Sequence, residues 1–492
     1  MTKSIAIIGS GISGLSAAYY LLQKSIQNGQ KIGKIYLIEQ QSRVGGWLHS
    51  KSIDNGQDYF ELGPRTISLN SYAGINCLSL VNSIGLADQI KSVPKYSKSF
   101  QRRYVVIDGQ LRQLPNRFSD LFVSRPPFKP FIYYLWNDLR QPPVKKINDD
   151  DISVDEFFRQ RFGSDIAEYL INPLCIGITG GDSHLLSMPS IFSSLFQKEQ
   201  KYGSVVKSMF KKEDIFKDLH QNPLVQQSIN EKWAVFSFKN GIETLPKQLI
   251  SRLTENFPKQ IELKLETKVN QIEFRSSDKC LINAVHKQDN TIMEDKFEVD
   301  HCFSSIPAIH LASLIRSNLS TNDDQELKST LLSIKTVHMA LVCLKFDREI
   351  IPSDMGFGFL IPANQNSSIL GCTFDSCIFP ESKTKMTVML GGYMFEKLFG
   401  QPDQVDQNQL IDISLQTLKT LLKINIQPIE IKVAIHKDCI PQYTIGHRQK
   451  LKKIEKQIKK LPLSLLGSSY YGFSVPDTIL NARREAEHWH QR

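Results

Sequence analysis

Cysteine is sparse and scattered. The eight cysteines (77, 175, 280, 302, 343, 372, 377 and 439) form no Cys-x-x-Cys pair and no His/Cys group at zinc spacing. That excludes a disulfide framework and a zinc finger, and it fits free buried thiols in a reducing compartment rather than secretion. Long apolar runs are missing too: the densest, Phe131-Ile-Tyr-Tyr-Leu-Trp136, falls far short of the roughly 18 residues that cross a bilayer. No targeting segment precedes the first strand-like run at Ser4, so no cleavable presequence is expected and any organelle address is internal. The net charge is +10, and lysines crowd the stretches from Lys198 to Lys217 and from Lys450 to Lys460. No zinc-finger, RRM or KH signature turns that charge into base reading, so nucleic acid is not expected as a partner. None of the eleven histidines stands in a nucleophilic or metal-binding constellation, so no catalytic acid or base and no metal is assigned.

What is present is size and a phosphate-binding start. With 492 residues, 41% of them apolar, the chain can build two or three domains and bury a large ring cofactor. Ser4-Ile-Ala-Ile-Ile8 reads as a buried parallel strand, followed by Gly9-Ser-Gly11-Ile-Ser-Gly14 and a helix from Leu15 to Leu22. Gly9 makes the tight turn, Gly11 lets backbone approach a pyrophosphate and Gly14 lets the helix pack closely, while the helix N-terminus offers free N–H groups to the anion. A second strand from Lys34 ends at Glu39, the acidic residue that bonds an adenosine ribose at such sites. Arg43-Val-Gly-Gly-Trp47 follows at once, and Arg43, Gly46 and Trp47 bring a cation and a second flexible turn to the same pyrophosphate.

Four further segments carry a resemblance. They are Phe60-Glu-Leu-Gly-Pro-Arg65; Asn172-Pro-Leu-Cys-Ile-Gly-Ile-Thr-Gly-Gly-Asp182; Gly356-Phe-Gly-Phe-Leu360 with Thr387-Val-Met-Leu-Gly-Gly392; and Ile440-Pro-Gln-Tyr-Thr-Ile-Gly-His447 leading to Gly467-Ser-Ser-Tyr-Tyr-Gly-Phe-Ser-Val-Pro-Asp477. Together with the N-terminal site they resemble the protoporphyrinogen oxidase family, within the wider group of flavin amine oxidases, over nearly the whole chain. The resemblance implies an α/β fold: a Rossmann-like FAD domain of the glutathione-reductase type, with an inserted α+β substrate domain and a helical membrane-associated domain. The FAD domain is expected in three separate segments, 1–90, 232–310 and 436–492. The substrate and helical membrane-associated insertion is expected at 91–215, and a substrate-binding sheet at 311–435.

By the same resemblance, one FAD is held without a covalent bond, since no cysteine stands near Val475. Gly63 and Pro64 pass the flavin ring, Val269 meets the adenine through its backbone, and Val475 opens a helix aimed at the flavin. Arg103 is implied as the partner of a substrate propionate, in a strand-like run that would hold it inward and Arg102 outward. Arg65 reads either as a substrate contact or as a cation that stabilises reduced flavin. Phe357, Gly358, Leu360 and Met389 are implied to line the flat faces of a macrocycle, the alternative being ordinary core packing. The implied substrate is protoporphyrinogen IX and the electron acceptor O2. The implied location is the mitochondrial inner membrane, peripherally, with ferrochelatase and a second copy of the chain as partners. The aromatic and basic stretch from Arg117 to Trp136 would lie on the membrane surface, or else pack inside the inserted domain. Two rivals stand beside this reading: an amine oxidase using Tyr470 or Tyr471 as an aromatic cage, and a non-catalytic flavoprotein scaffold.

Overall fold

A computed structural model describes residues 2–144, 151–211, 217–288, 291–317 and 321–491. Part of the first lysine-rich stretch, 212–216, lies outside the described residues. The chain divides into two compact units: Met1–Ser92, Phe216–Lys335 and Arg448–Arg492 form the first, and Val93–Ile215 with Thr336–His447 the second.

In the first unit, β1 (Lys3–Ile8) leads into helix α1 (Ile12–Asn28), then β2 (Ile32–Ile38). Later pieces add β3 (Ile261–Lys264), β4 (Thr267–Phe274), β5 (His301–Ser304), β6 (Leu463–Leu465) and helix α2 (Val475–Trp489). Five strands form one parallel sheet in the order β3-β2-β1-β5-β6. Strand β1 shows why the run is apolar at every position: Ile5 and Ile7 enter the core around α1 and α2, while Ala6 and Ile8 enter a second core on the other face. The apparent single run from Ile261 to Ile272 is two strands in different sheets. Glu266, at φ +50°, turns the chain between them, and β4 joins a four-stranded sheet with Cys280–Gln288, Thr291–Val299 and Ile315–Ser317. The seam of Leu451 and Ile454, with Ile458 and Leu461 packed against it, faces that second core, as its helical spacing predicts.

The second unit is built on a seven-stranded sheet. Its order is Glu430–Pro441, Thr336–Lys345, Lys385–Gly392, Ile369–Thr373, Gly358–Leu360, Tyr104–Ile107 and Gln110–Gln113. Alternation along Lys385–Gly392 splits the sheet: Met386, Val388 and Leu390 join a core with Leu410 and Leu418 of helix Gln407–Leu422, and Met389 points to the opposite face. Helix Asn172–Thr179 packs on that opposite face, bringing Ile176 against Met339 and Leu370. A helical cluster completes the unit. Within it, Arg161 is fully buried and bonds Asp138 Oδ1 at 2.6 Å and four backbone carbonyls, with Glu199 at 3.3 Å.

Candidate functional site

The carboxyl ends of the parallel strands converge on one turn in the first unit. Gly9 leaves β1 at φ +92°, and an added Cβ there would lie 2.6 Å from Ser305 Oγ. Ser305 follows β5, and its hydroxyl donates to the Ile8 and Gly9 carbonyls at 2.9 Å each. Gly467, just beyond β6, packs against the Ser305 backbone. Gly14 sits where a Cβ would come within 2.1 Å of the Gly9 carbonyl oxygen, so only glycine lets α1 seat this close. Gly11 is the N-cap of α1 and has no capping side chain, which leaves the first N–H groups of the helix open.

Glu39 closes the end of β2. Its carboxylate accepts the Ser10 N–H at 2.9 Å, the Ser10 hydroxyl at 3.1 Å and the Gln41 N–H at 2.9 Å. Val269 is held beside it, because the Thr267 N–H donates to the Glu39 carbonyl at 2.8 Å. The second glycine turn crosses the first: Gly11 bridges Gly45, and a Cβ on Gly46 would reach the Gly11 Cα at 3.2 Å. Arg43 braces this turn from within, donating to the Gly46 carbonyl at 2.6 Å and the Val44 carbonyl at 3.2 Å, with Glu243 at 3.5 Å. Trp47 is 40% exposed, and its carbonyl lies 2.2 Å from where a Cβ on Gly63 would stand, so the Gly63-Pro64-Arg65 segment follows the same turn.

Helix α2 arrives alongside α1. Arg483 lies over the Tyr20 ring at 5.9 Å, and His490 contacts the Leu21 carbonyl and Gln30. Later residues of one helix therefore meet later residues of the other, and the two N-termini open on the same side. Val475 is the first residue of α2, after the N-cap Ser474. The glycines, Glu39, Arg43, Val269 and Val475 thus stand around one cradle.

The remaining candidates lie in the second unit. The sequence expectation for the two arginines is not met, because the strand begins only at Tyr104 and leaves both in the preceding turn. Arg102 is tied to Asp354, through the carbonyl at 2.8 Å and the carboxylate at 3.1 Å. Arg103 keeps open surface, yet its guanidinium lies 4.9 Å from the Phe100 ring and 5.1 Å from the Phe357 ring, with no carboxylate in ion-pair range among the described residues. Desolvation by these neighbours lowers its pKa below the ordinary arginine value. Gly358, at φ +142°, lets its strand press onto the Cys372 carbonyl, where a Cβ would come within 2.1 Å. Leu360 packs into the gap left by Gly177 of helix Asn172–Thr179, and Met389 joins Ile176, Met339 and Leu370 on the same face.

Two residues escaped the sequence reading. The Ser13 hydroxyl, on the first turn of α1, is buried without a hydrogen-bond partner, and the signal was a polar residue in a variable position of the glycine motif. Phe100 had no signal, since its role depends on Phe357 reaching it from 257 positions away. Conversely, Tyr470 is buried in the second core and Tyr471 donates to Glu455 at 2.5 Å; their rings meet at 41°, which is not a parallel cage.

This geometry makes a dinucleotide cradle, and the family model described as flavin containing amine oxidoreductase, which matches residues 12–488, makes the chain a flavoprotein. The chain is accordingly an FAD-dependent oxidoreductase. FAD fits the residues present: the uncapped start of α1, the orphaned Ser13 hydroxyl and the glycines that a Cβ would fill all answer to a pyrophosphate. The chain is 32% identical to protoporphyrinogen oxidase of Bos taurus, over 99% of this chain and 98% of that one. It is 30% identical to protoporphyrinogen oxidase of Homo sapiens at the same coverage. A crystal structure of a putative protoporphyrinogen oxidase from Exiguobacterium sp. 255-15 shares the fold, with a TM-score of 0.74 at 21% identity over 100% of this chain and 99% of that one. The chain belongs to the protoporphyrinogen oxidase family of flavin-containing amine oxidoreductases.

Proposed function

We propose that the chain oxidises protoporphyrinogen IX to protoporphyrin IX, the penultimate step of haem biosynthesis, with O2 as terminal acceptor. Six hydrogens leave the macrocycle in three two-electron steps, and three O2 become three H2O2. Bound FAD supplies the ring that accepts each hydride and passes the electrons to oxygen. The chain's own residues hold and shield. In the first unit, Gly9, Gly11, Gly14 and Ser13 with the start of α1 take the pyrophosphate, and Glu39 takes the ribose. Arg43, Gly46 and Trp47 fix the second turn against it, Val269 offers backbone to the adenine, and Gly63, Pro64 and Val475 flank the flavin.

In the second unit, Arg103 takes a propionate, and Phe357, Gly358, Leu360 and Met389 offer a flat apolar face to the macrocycle. Arg65, in the first unit next to Gly63 and Pro64, is proposed as a substrate contact of that unit. The observation that carries the substrate reading is Arg103: a cation with no acidic partner among the described residues, lying against two rings beside an apolar face.

Attachment to the mitochondrial inner membrane is proposed as peripheral. No helix among the described residues is long and apolar enough to cross a membrane. Helix Phe131–Arg140 exposes Ile132, Tyr133 and Trp136, with Lys129 over Tyr133 and Arg140 over Trp136, each at 4.4 Å. Met209 and Phe210, 73% and 82% exposed, stand at the end of the helix that packs against it. Aromatic tips among cations suit an anionic lipid surface. Ferrochelatase and a second copy of the chain are proposed as partners on the family resemblance alone.

The deciding experiment adds protoporphyrinogen anaerobically to purified holoprotein while the flavin band is watched. Bleaching, then porphyrin fluorescence once air enters, is the expected result. Bleaching by amines alone would mark an amine oxidase, and a flavin that never bleaches would mark a scaffold.

A further inference from the structure

Asp477 is the third residue of α2 and stands in a built corner. The Ser474 hydroxyl accepts the Asp477 N–H at 3.2 Å and donates to Asp477 Oδ2 at 2.6 Å. From the other side Gly472, at φ +121°, lies so close that a Cβ there would come within 2.6 Å of the Asp477 Cβ. Position 472 therefore has no space for a side chain beside this carboxyl, and the Ser474 hydroxyl orients it. Among the described residues no cation pairs with Asp477, and the charge that acts on it is Arg484, about two turns further along the helix. Charged neighbours on the packed elements are committed elsewhere: Arg483 to Asn76 and Glu487, and Glu455 to Tyr471. The first turn of α1, which opens on the same side, carries no acidic residue. Burial raises the Asp477 pKa above the ordinary aspartate value, against the opposite pull of Ser474 and Arg484.

We propose that Asp477 is a positioning residue that sets the reduction potential of the bound flavin. As an anion at the start of α2 it opposes the negative charge the ring gains on reduction; once protonated, it leaves the helix field unopposed. Asp477 gives and takes no electrons. The inference rests on the reading of this cradle as the FAD site.

The test is a potentiometric titration of the holoprotein across pH. The wild-type midpoint should show an inflection above the ordinary carboxylate range. D477N should lose that inflection and, at neutral pH, hold an about fivefold higher ratio of reduced to oxidised flavin at a fixed solution potential; D477E should restore the wild-type curve. S474A removes a hydrogen bond that favours the anion, so it should move the inflection to higher pH. A D477N holoprotein whose curve overlays the wild type overturns the proposal. If D477N binds no flavin, an unmoved inflection in S474A does the same. Wild-type protein without a flavin band would instead sink the cofactor reading itself.

Discussion

At the scale of single residues, contact distances decide which glycines and which cation matter. Gly14→Ala sets a methyl group 2.1 Å from the Gly9 carbonyl, so the turn must open; the variant should purify with little flavin, read as a fallen ratio of flavin to protein absorbance. Arg103→Ala removes a cation that no carboxylate among the described residues neutralises. The expected cost is about ten- to a hundredfold in KM for the porphyrinogen with kcat nearly unchanged. Arg103→Lys should recover only part, since a point charge lacks the planar fork and packs poorly against Phe100 and Phe357. Equal KM values in wild type and R103A would remove Arg103 from the substrate site.

Among elements, local sequence spoke clearly where neighbours in the chain are neighbours in space. The strand, glycine turn and helix from Ser4 to Leu22 are legible because each requirement lies within a few positions. The two arginines were misread because a strand-like pattern does not show where pairing starts: Tyr104 is the first paired residue, and alternation has no force before it. The break at Glu266 was invisible for a related reason, as both flanking runs are apolar enough for strands and only their partners differ. The helical cluster supplies a stability test. Arg161→Ala strips the counter-charge from Asp138 and Glu199, both fully buried. A loss of about 3–5 kcal/mol is expected, measured as a fall in denaturant midpoint. On the same cluster, a Trp136→Ser and Phe210→Ser double variant should release the protein from anionic vesicles in a flotation assay while leaving flavin content intact. Unchanged flotation would assign these side chains to some other contact.

Across the whole molecule, the chemistry of the thiols follows from where they lie. Burial pushes the Cys77, Cys175, Cys280 and Cys439 thiols up to about 12 and Cys377 up to about 11. Thiolate is then scarce at mildly alkaline pH, and the sulfurs are shielded as well. A thiol-reactive dye should label essentially none of the eight cysteines in the native protein and all of them after denaturation; rapid labelling of native protein would refute the packing around them.

The parallel sheet of the first unit also carries a consequence for how the protein is made. Its central strand is made before the other strands of the sheet, while β6 and α2 are the last of these elements to be made. At roughly 5–20 residues per second, Gly9 waits tens of seconds for Gly467. Until then the nascent sheet ends at β5 with an open edge, a surface that invites chaperone holding or wrong pairing. A premature stop codon anywhere before Leu463 should therefore yield insoluble, flavin-free chains rather than a weakened enzyme.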